Sequence, residues 1–297
     1  MKHKTRPDKR PLTIYTIVFI KNNFISYFGL YTASEKCYTE ITKSHTNYNC
    51  FERGTLIMKL IRAKDYADVS VKAAGIIASV VTLKPDCVLG LATGSSPVGT
   101  YKELIKKYEA GELDFSQVKT VNLDEYVGLS KDHDQSYAYF MRTNLFDHVN
   151  IDQANCNIPS GLTDDPETEC GNYDKLIGEL QTDLQLLGMG PNGHIGFNEP
   201  DEVFIPGTHC VKLAESTIDA NQRFFATRDD VPRYAYTMGI WGIMQAKKVL
   251  MVVNGKNKAQ AVKAALTGPV DPKVPASILQ LHPDFTLVAD EEALSLL

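Results

Sequence analysis

Tryptophan occurs once in 297 residues, and the six cysteines (37, 50, 87, 156, 170 and 210) form no CxxC pair. That spacing speaks against structural zinc and against a disulfide framework, and predicts free thiols in a reducing, cytoplasmic setting. Positive charge is also scarce: 31 Lys and Arg face 36 Asp and Glu, a net of −5, so a polyanion such as nucleic acid is a poor partner. Within residues 1–57 no apolar run approaches the roughly 20 residues that a membrane-spanning helix needs; the longest, Pro11 to Ile20, is cut by Lys21, Asn22 and Asn23. No small-residue cleavage site follows it, so a secretory signal is not expected. Repeats and low-complexity tracts are missing too, and the 43% hydrophobic content is enough for a large buried core.

Charge is unevenly placed. Residues 1–57 carry +5, nine of the 27 aromatic residues and a single alanine, whereas 58–297 carry −10. The first segment shows no sustained period of 3.6 or 2 and does not read as a domain. The expectation is that a single coherent domain spans 58–297 and that 1–57 is a non-native or disordered extension, translated from sequence upstream of Met58. Glu52-Arg53-Gly54, which a purine-rich, ribosome-binding-like run can encode, agrees with that reading.

From Asp65 onward, Val69, Ala73, Ile76, Ile77 and Val80 recur at helical steps until Lys84-Pro85-Asp86 stops them, so one helix is predicted before the first buried strand. Apolar runs then alternate with helical stretches at Cys87–Ala92, Val118–Leu123, Leu184–Met189, Lys248–Val253 and Phe285–Ala289. Such runs predict a parallel α/β sheet in one domain, covered by helices, with ligands at the carboxyl ends of its strands.

Those ends carry the candidates. Thr93-Gly94-Ser95-Ser96-Pro97 follows the first run, and its small residues, hydroxyls and adjoining helix start suit a phosphate, although an ordinary strand-to-helix turn has the same composition. Asp124 and Glu125 follow the second run as either a proton-transfer base or helix caps. Tyr137 to Met141 reads as helix packing without chemistry. The third run opens Gly188-Met-Gly-Pro-Asn192-Gly-His194-Ile-Gly-Phe-Asn-Glu199-Pro200. Its literal GxGxxG is not a dinucleotide fingerprint, because Pro191, Gly196 and Pro200 interrupt any helix there. His194 and Glu199 on one loop instead suggest an acid/base apparatus. Arg223 and Lys258 could clamp a phosphate, with Lys256 competing for the latter role; each also reads as an ordinary surface charge.

Taken together, Thr93-Gly-Ser-Ser-Pro97, Asn122-Leu-Asp-Glu-Tyr-Val-Gly128, the Gly188–Pro200 loop and Leu279-Gln-Leu-His-Pro283 closely resemble the glucosamine-6-phosphate deaminase family over essentially 58–297. The resemblance implies a modified Rossmann-like, open, mostly parallel sheet flanked by helices. It implies a hydrolase of amino-sugar (N-acetylglucosamine) catabolism that turns glucosamine 6-phosphate and water into fructose 6-phosphate and ammonia, with no cofactor or metal and a small sugar phosphate as its partner. It makes Asp124 the proton carrier between C2 and C1, and His194 the ring-opening base assisted by Glu199 and Asn192. Thr93, Gly94, Ser95, Ser96, Arg223 and Lys258 become the phosphate site, and residues from about Pro206 to Tyr234 a mobile lid. Asn192 stands where some relatives carry Asp. His209 and Val211 occupy the approximate positions of basic allosteric residues in relatives, so activation by N-acetylglucosamine 6-phosphate is not expected; Lys212, one position on, is the nearest cation. A 6-phosphogluconolactonase shares the phosphate loop but typically follows Gly-His with Thr-Ala-Ser, unlike His194-Ile-Gly-Phe. A sugar-phosphate sensor domain would need a DNA-reading helix pair that residues 1–57 do not show.

Overall fold

The computed structural model describes residues 14–18, 26–31 and 57–297 except 164, 216–217, 220–221 and 223–224, with side chains from Met58 onward. In chain order the strands are β1 (Ile14–Val18), β2 (Ser26–Tyr31), β3 (Ile57–Ala63), β4 (Val88–Leu91), β5 (Lys119–Asn122), β6 (Asp124–Tyr126), β7 (Cys156–Asn157), β8 (Leu184–Leu187), β9 (His209–Lys212), β10 (Tyr234–Thr237), β11 (Val249–Val253) and β12 (Asp284–Asp290). The principal helices are α1 (Tyr66–Leu83), α2 (Ser95–Glu109), α3 (Tyr137–Asn144), α4 (Pro166–Leu180), α5 (Ile240–Met244) and α6 (Ala259–Thr267).

Nine strands form one sheet in the order β1-β2-β3-β12-β11-β8-β4-β5-β7, parallel from β3 to β7. The apolar runs predicted the interior of this sheet because those strands are buried on both faces, as β4, β8 and β11 are at every residue. Two points differ from expectation. A strand, β3, precedes α1 and pairs with β12 along seven residues, and the Met58-Lys-Leu-Ile-Arg opening is part of it. Two stretches of the basic segment also form an antiparallel hairpin, and β2 continues the sheet by pairing Ser26, Tyr27 and Phe28 with Leu60, Lys59 and Met58. Ile, Val, Tyr and Phe in those stretches suit a pleated surface even without strict alternation.

One face of the sheet is covered by α4, α5 and α6, with Tyr173, Ile177, Ile243, Val262 and Leu266 in its core. The other is covered by α1, α2 and α3. Helix α1 is apolar enough over 18 residues to cross a membrane by length and composition alone, yet Val69, Ala73, Ala74, Ile77 and Val81 sit in the core. At the amino ends of the strands, Asp183 takes Lys84 and Lys247 at 2.7 and 2.8 Å, and Asp284 takes Lys59 at 2.9 Å together with Lys248. The opposite, carboxyl ends carry the loops described next.

A second, antiparallel sheet β6-β10-β9 stands over those loops. Its strands are three or four residues long and mix polar with aromatic residues, so no periodicity announces them. Leu123 joins the two sheets: its N–H donates to Leu91 at 3.1 Å and its carbonyl accepts from Met238 at 2.6 Å.

Candidate active site

Residue Asp124 opens β6 directly across from Thr237 and is buried, with 5% of its surface exposed. The Thr93 side chain lies beside its carboxyl group and favours the ionised form, while Oδ1 is buried with no hydrogen-bond partner among the described residues. Burial, reinforced by the neighbouring Glu125 charge, pushes its pKa up to about 8 against the opposing Thr93 bond. Glu125 faces away from this chemistry. Its carboxylate accepts the N–H groups of Tyr126, Tyr137 and Ala138 at 2.8 to 2.9 Å, capping α3, so the cap reading holds for Glu125. Burial nonetheless raises its pKa, with those three bonds opposing the rise.

The loop after β8 is shaped by its glycines. Gly193 and Gly196 take φ of +88° and +58°, a region that strains other residues. Gly190 lies flat beneath the imidazole of His194: a Cβ built there would stand 2.4 Å from the ring. A Cβ on Gly196 would lie 2.9 Å from Thr237 Oγ1 and 3.5 Å from Asp124 Oδ2, so this loop also passes beside the carboxyl group. Phe197 N–H donates to Thr237 Oγ1 at 3.0 Å, and the Asn198 amide spans to the carbonyls of Ile195 and Met238 at 2.9 Å each, binding loop to β10.

Glu199 turns back into the loop. Asn192 Nδ2 donates to Glu199 Oε2 at 2.7 Å, and Asn192 Oδ1 accepts the backbone N–H of His194 at 3.2 Å. Nδ1 of His194 stands 3.2 Å from Glu199 Oε1 but off the hydrogen-bonding direction, a contact that ring rotation could align. The three residues form one network: their place on one loop pairs His194 with Glu199, and the family resemblance adds Asn192.

Across the loop, Gly94 (φ +89°) precedes α2, whose first turn has no side-chain cap, so the N–H groups of Ser95 and Ser96 are available to an anion. Gly188 lies against Ser96, its absent Cβ 3.6 Å from Ser96 Cβ. Lys258 Nζ donates to the Met189 carbonyl at 2.7 Å, placing its ammonium at the same strand end, and burial lowers its pKa to about 8. Lys256 is exposed, so Lys258 has the better claim of the two. Arg223 lies outside the described residues, as do positions 216–217, 220–221 and 224 of the segment expected to be a lid. His209 and Val211 belong to β9, where Val211 packs against the cluster of Tyr126, Phe197 and Leu213.

One participant carried no motif. Tyr137, expected only to pack, is half-buried, donates its hydroxyl proton to the Tyr126 hydroxyl at 3.4 Å and is stacked on Phe197 with centroids 6.0 Å apart, beside Thr93. Its ring partner Phe197 is distant in sequence, and no local pattern encodes that contact. Cys87, Cys156, Cys170 and Cys210 are free thiols. Among the described residues no three His, Cys, Asp or Glu side chains gather as a metal would require.

The family described as glucosamine-6-phosphate isomerases/6-phosphogluconolactonase matches residues 65–287. A glucosamine-6-phosphate deaminase of Lachnoclostridium phytofermentans is 60% identical over 78% of this chain and 98% of its own length. One from Clostridium perfringens strain 13 is 55% identical over 81% of this chain and all of its own. Among solved structures, a monomeric glucosamine-6-phosphate deaminase superposes with a TM-score of 0.78 at 46% identity, over 80% of this chain and 99% of that one. The 6-phosphogluconolactonase of Thermotoga maritima, at 18% identity and TM-score 0.64 over 78% of this chain and 99% of its own, shares the fold.

Proposed function

From a chain that belongs to the glucosamine-6-phosphate isomerase and 6-phosphogluconolactonase family, we propose the deaminase reaction: glucosamine 6-phosphate and water to fructose 6-phosphate and ammonia. The observation that carries it is the loop in which Glu199 touches both Asn192 and His194 and which passes Asp124 at Gly196. This proximity supports a ring-opening base and a separate proton carrier acting on one substrate.

In this reading the substrate's phosphate rests on the Ser95 and Ser96 amides, the hydroxyls of Thr93, Ser95 and Ser96, and the Lys258 ammonium. His194, steadied by Glu199, takes the O1 proton and returns one to O5, so the C1–O5 bond breaks and C1 becomes an aldehyde. Asn192 holds Glu199 and the His194 backbone in register but carries no charge of its own. Asp124, as carboxylate, removes the C2 proton while the substrate's ammonium gives one to O1, forming an enolamine, and Asp124 then delivers its proton to C1, leaving a protonated imine at C2. Water adds to that imine, its oxygen becomes the ketone oxygen, and nitrogen departs as ammonia. Only this last step is hydrolytic; the proton transfer is an aldose–ketose isomerisation, and "hydrolase" describes the net stoichiometry alone. A substrate ammonium beside Asp124 favours its ionised form and offsets the rise that burial causes.

The reaction belongs to carbohydrate metabolism, and we place it in cytoplasmic breakdown of amino sugars. Incubation of purified protein with glucosamine 6-phosphate should release ammonia and fructose 6-phosphate in equal amounts. Absence of ammonia, or turnover of 6-phosphogluconolactone in its place, would overturn the reading.

A further inference from the structure

The first turn of α2 offers its amides to a phosphate, yet no side chain within that turn caps it. Gly94 has no side chain to cap the helix, and Pro97 contributes no N–H. The turn is held from outside, by the first residue of α1. Tyr66, half-buried, donates its hydroxyl proton to the Ser95 carbonyl at 2.9 Å and accepts the Gly99 N–H at 2.7 Å. One hydroxyl thus ties together the two ends of the turn, positions four residues apart.

This contact requires an unusually close approach of the two helices. A Cβ on Gly99 would lie 2.1 Å from Ser70 Oγ and 3.0 Å from the Tyr66 hydroxyl. Ser70 is buried and donates to the Tyr66 carbonyl at 2.8 Å, which anchors the tyrosine's own backbone. Because the peptide unit is planar, the Ser95 carbonyl and the Ser96 N–H point in opposite directions from one plane. Fixing the carbonyl toward Tyr66 aims the Ser96 amide back toward the loop, where Gly188 and Lys258 converge.

We propose that Tyr66 is a positioning residue for phosphate recognition: its hydroxyl braces the first turn of α2 so that the Ser95 and Ser96 amides meet the substrate's phosphate. It touches neither sugar nor phosphate itself. The proposal rests on the phosphate-site reading above.

The test is Tyr66→Phe, which keeps the ring and removes the brace. Inorganic phosphate binding, measured by calorimetry, should weaken about 3- to 10-fold, the size expected for one hydrogen bond that orders a site. KM for glucosamine 6-phosphate should rise by the same factor while kcat stays within about twofold. Unchanged phosphate affinity, a loss confined to kcat, or an equal loss for glucosamine lacking phosphate would each overturn it. Wild-type ammonia release tests the underlying function by itself, and phosphate binding tests Tyr66 whether or not turnover is seen.

Discussion

Burial holds Asp124 as an acid near neutrality, and stability has to bear the cost of ionising it. Its folded pKa, about 8, lies above the ordinary carboxylate value. Between about pH 4 and pH 8 the folded protein therefore binds more protons than the unfolded chain, and stability falls as pH rises through that window. Asp124→Asn removes the titration. The variant should lose at least about 10²-fold in turnover and all proton exchange at C2, yet melt a few degrees higher than wild type at pH 8. Melting curves from pH 5 to 8 and deuterium uptake at C2 check the two halves. Lys258 has the opposite sense. Burial lowers its pKa to about 8, so its charge and its hold on a phosphate fade as pH rises past that value. Arginine stays charged, so in Lys258→Arg competition by inorganic phosphate should stay nearly flat between pH 7 and 9.5, where wild type weakens. Inhibition constants across that range decide it.

At the scale of elements, the loop after β8 was the most legible part of the sequence. Its glycines, proline breaks and paired His194 and Glu199 lie within a dozen residues, so contiguous residues sufficed to read them. The long buried strands were legible for the same reason. What stayed hidden depends on pairing between distant segments. β6 and β10 lie more than 100 residues apart, and Asp-Glu-Tyr and Tyr-Ala-Tyr-Thr contain no alternation that predicts them. β3 was read as the opening of the domain rather than as a strand because its partner, β12, lies at the other end of the sequence. The role of Tyr137 beside Thr93 was lost similarly. The loop's geometry is also its weak point. Gly190→Ala would place a methyl group against the His194 ring, 2.4 Å from its atoms, and force the imidazole out of position. Turnover of the cyclic substrate should fall about 10²-fold or more with phosphate affinity little changed. Steady-state kinetics beside phosphate binding will show whether the loss is confined to catalysis.

For the whole molecule, the question is what residues 1–57 add. These two relatives align over 98–100% of their own lengths while matching 78–81% of this chain, and every site residue named above lies between Tyr66 and Lys258. A chain beginning at Met58 should keep its fold and turn over within about twofold of the full chain. The seven-residue pairing of β3 with β12 and the packing of α1 on the sheet remain to hold that edge. Circular dichroism, melting and ammonia release from the shortened chain check this; loss of folding would show that the β1–β2 hairpin is integral.

The hairpin's position against β3 has a bearing on crowding rather than on catalysis. Without β2, the backbone groups of Met58, Lys59 and Leu60 face outward as an open strand edge, a template onto which another molecule can add a strand. Lys59 stands in the middle of that edge, its ammonium tethered to Asp284 at 2.9 Å. A charge so placed is costly to desolvate and discourages edge-to-edge joining. The shortened chain should scatter light as a single species at high concentration, whereas combining the truncation with Lys59→Val should make it self-associate.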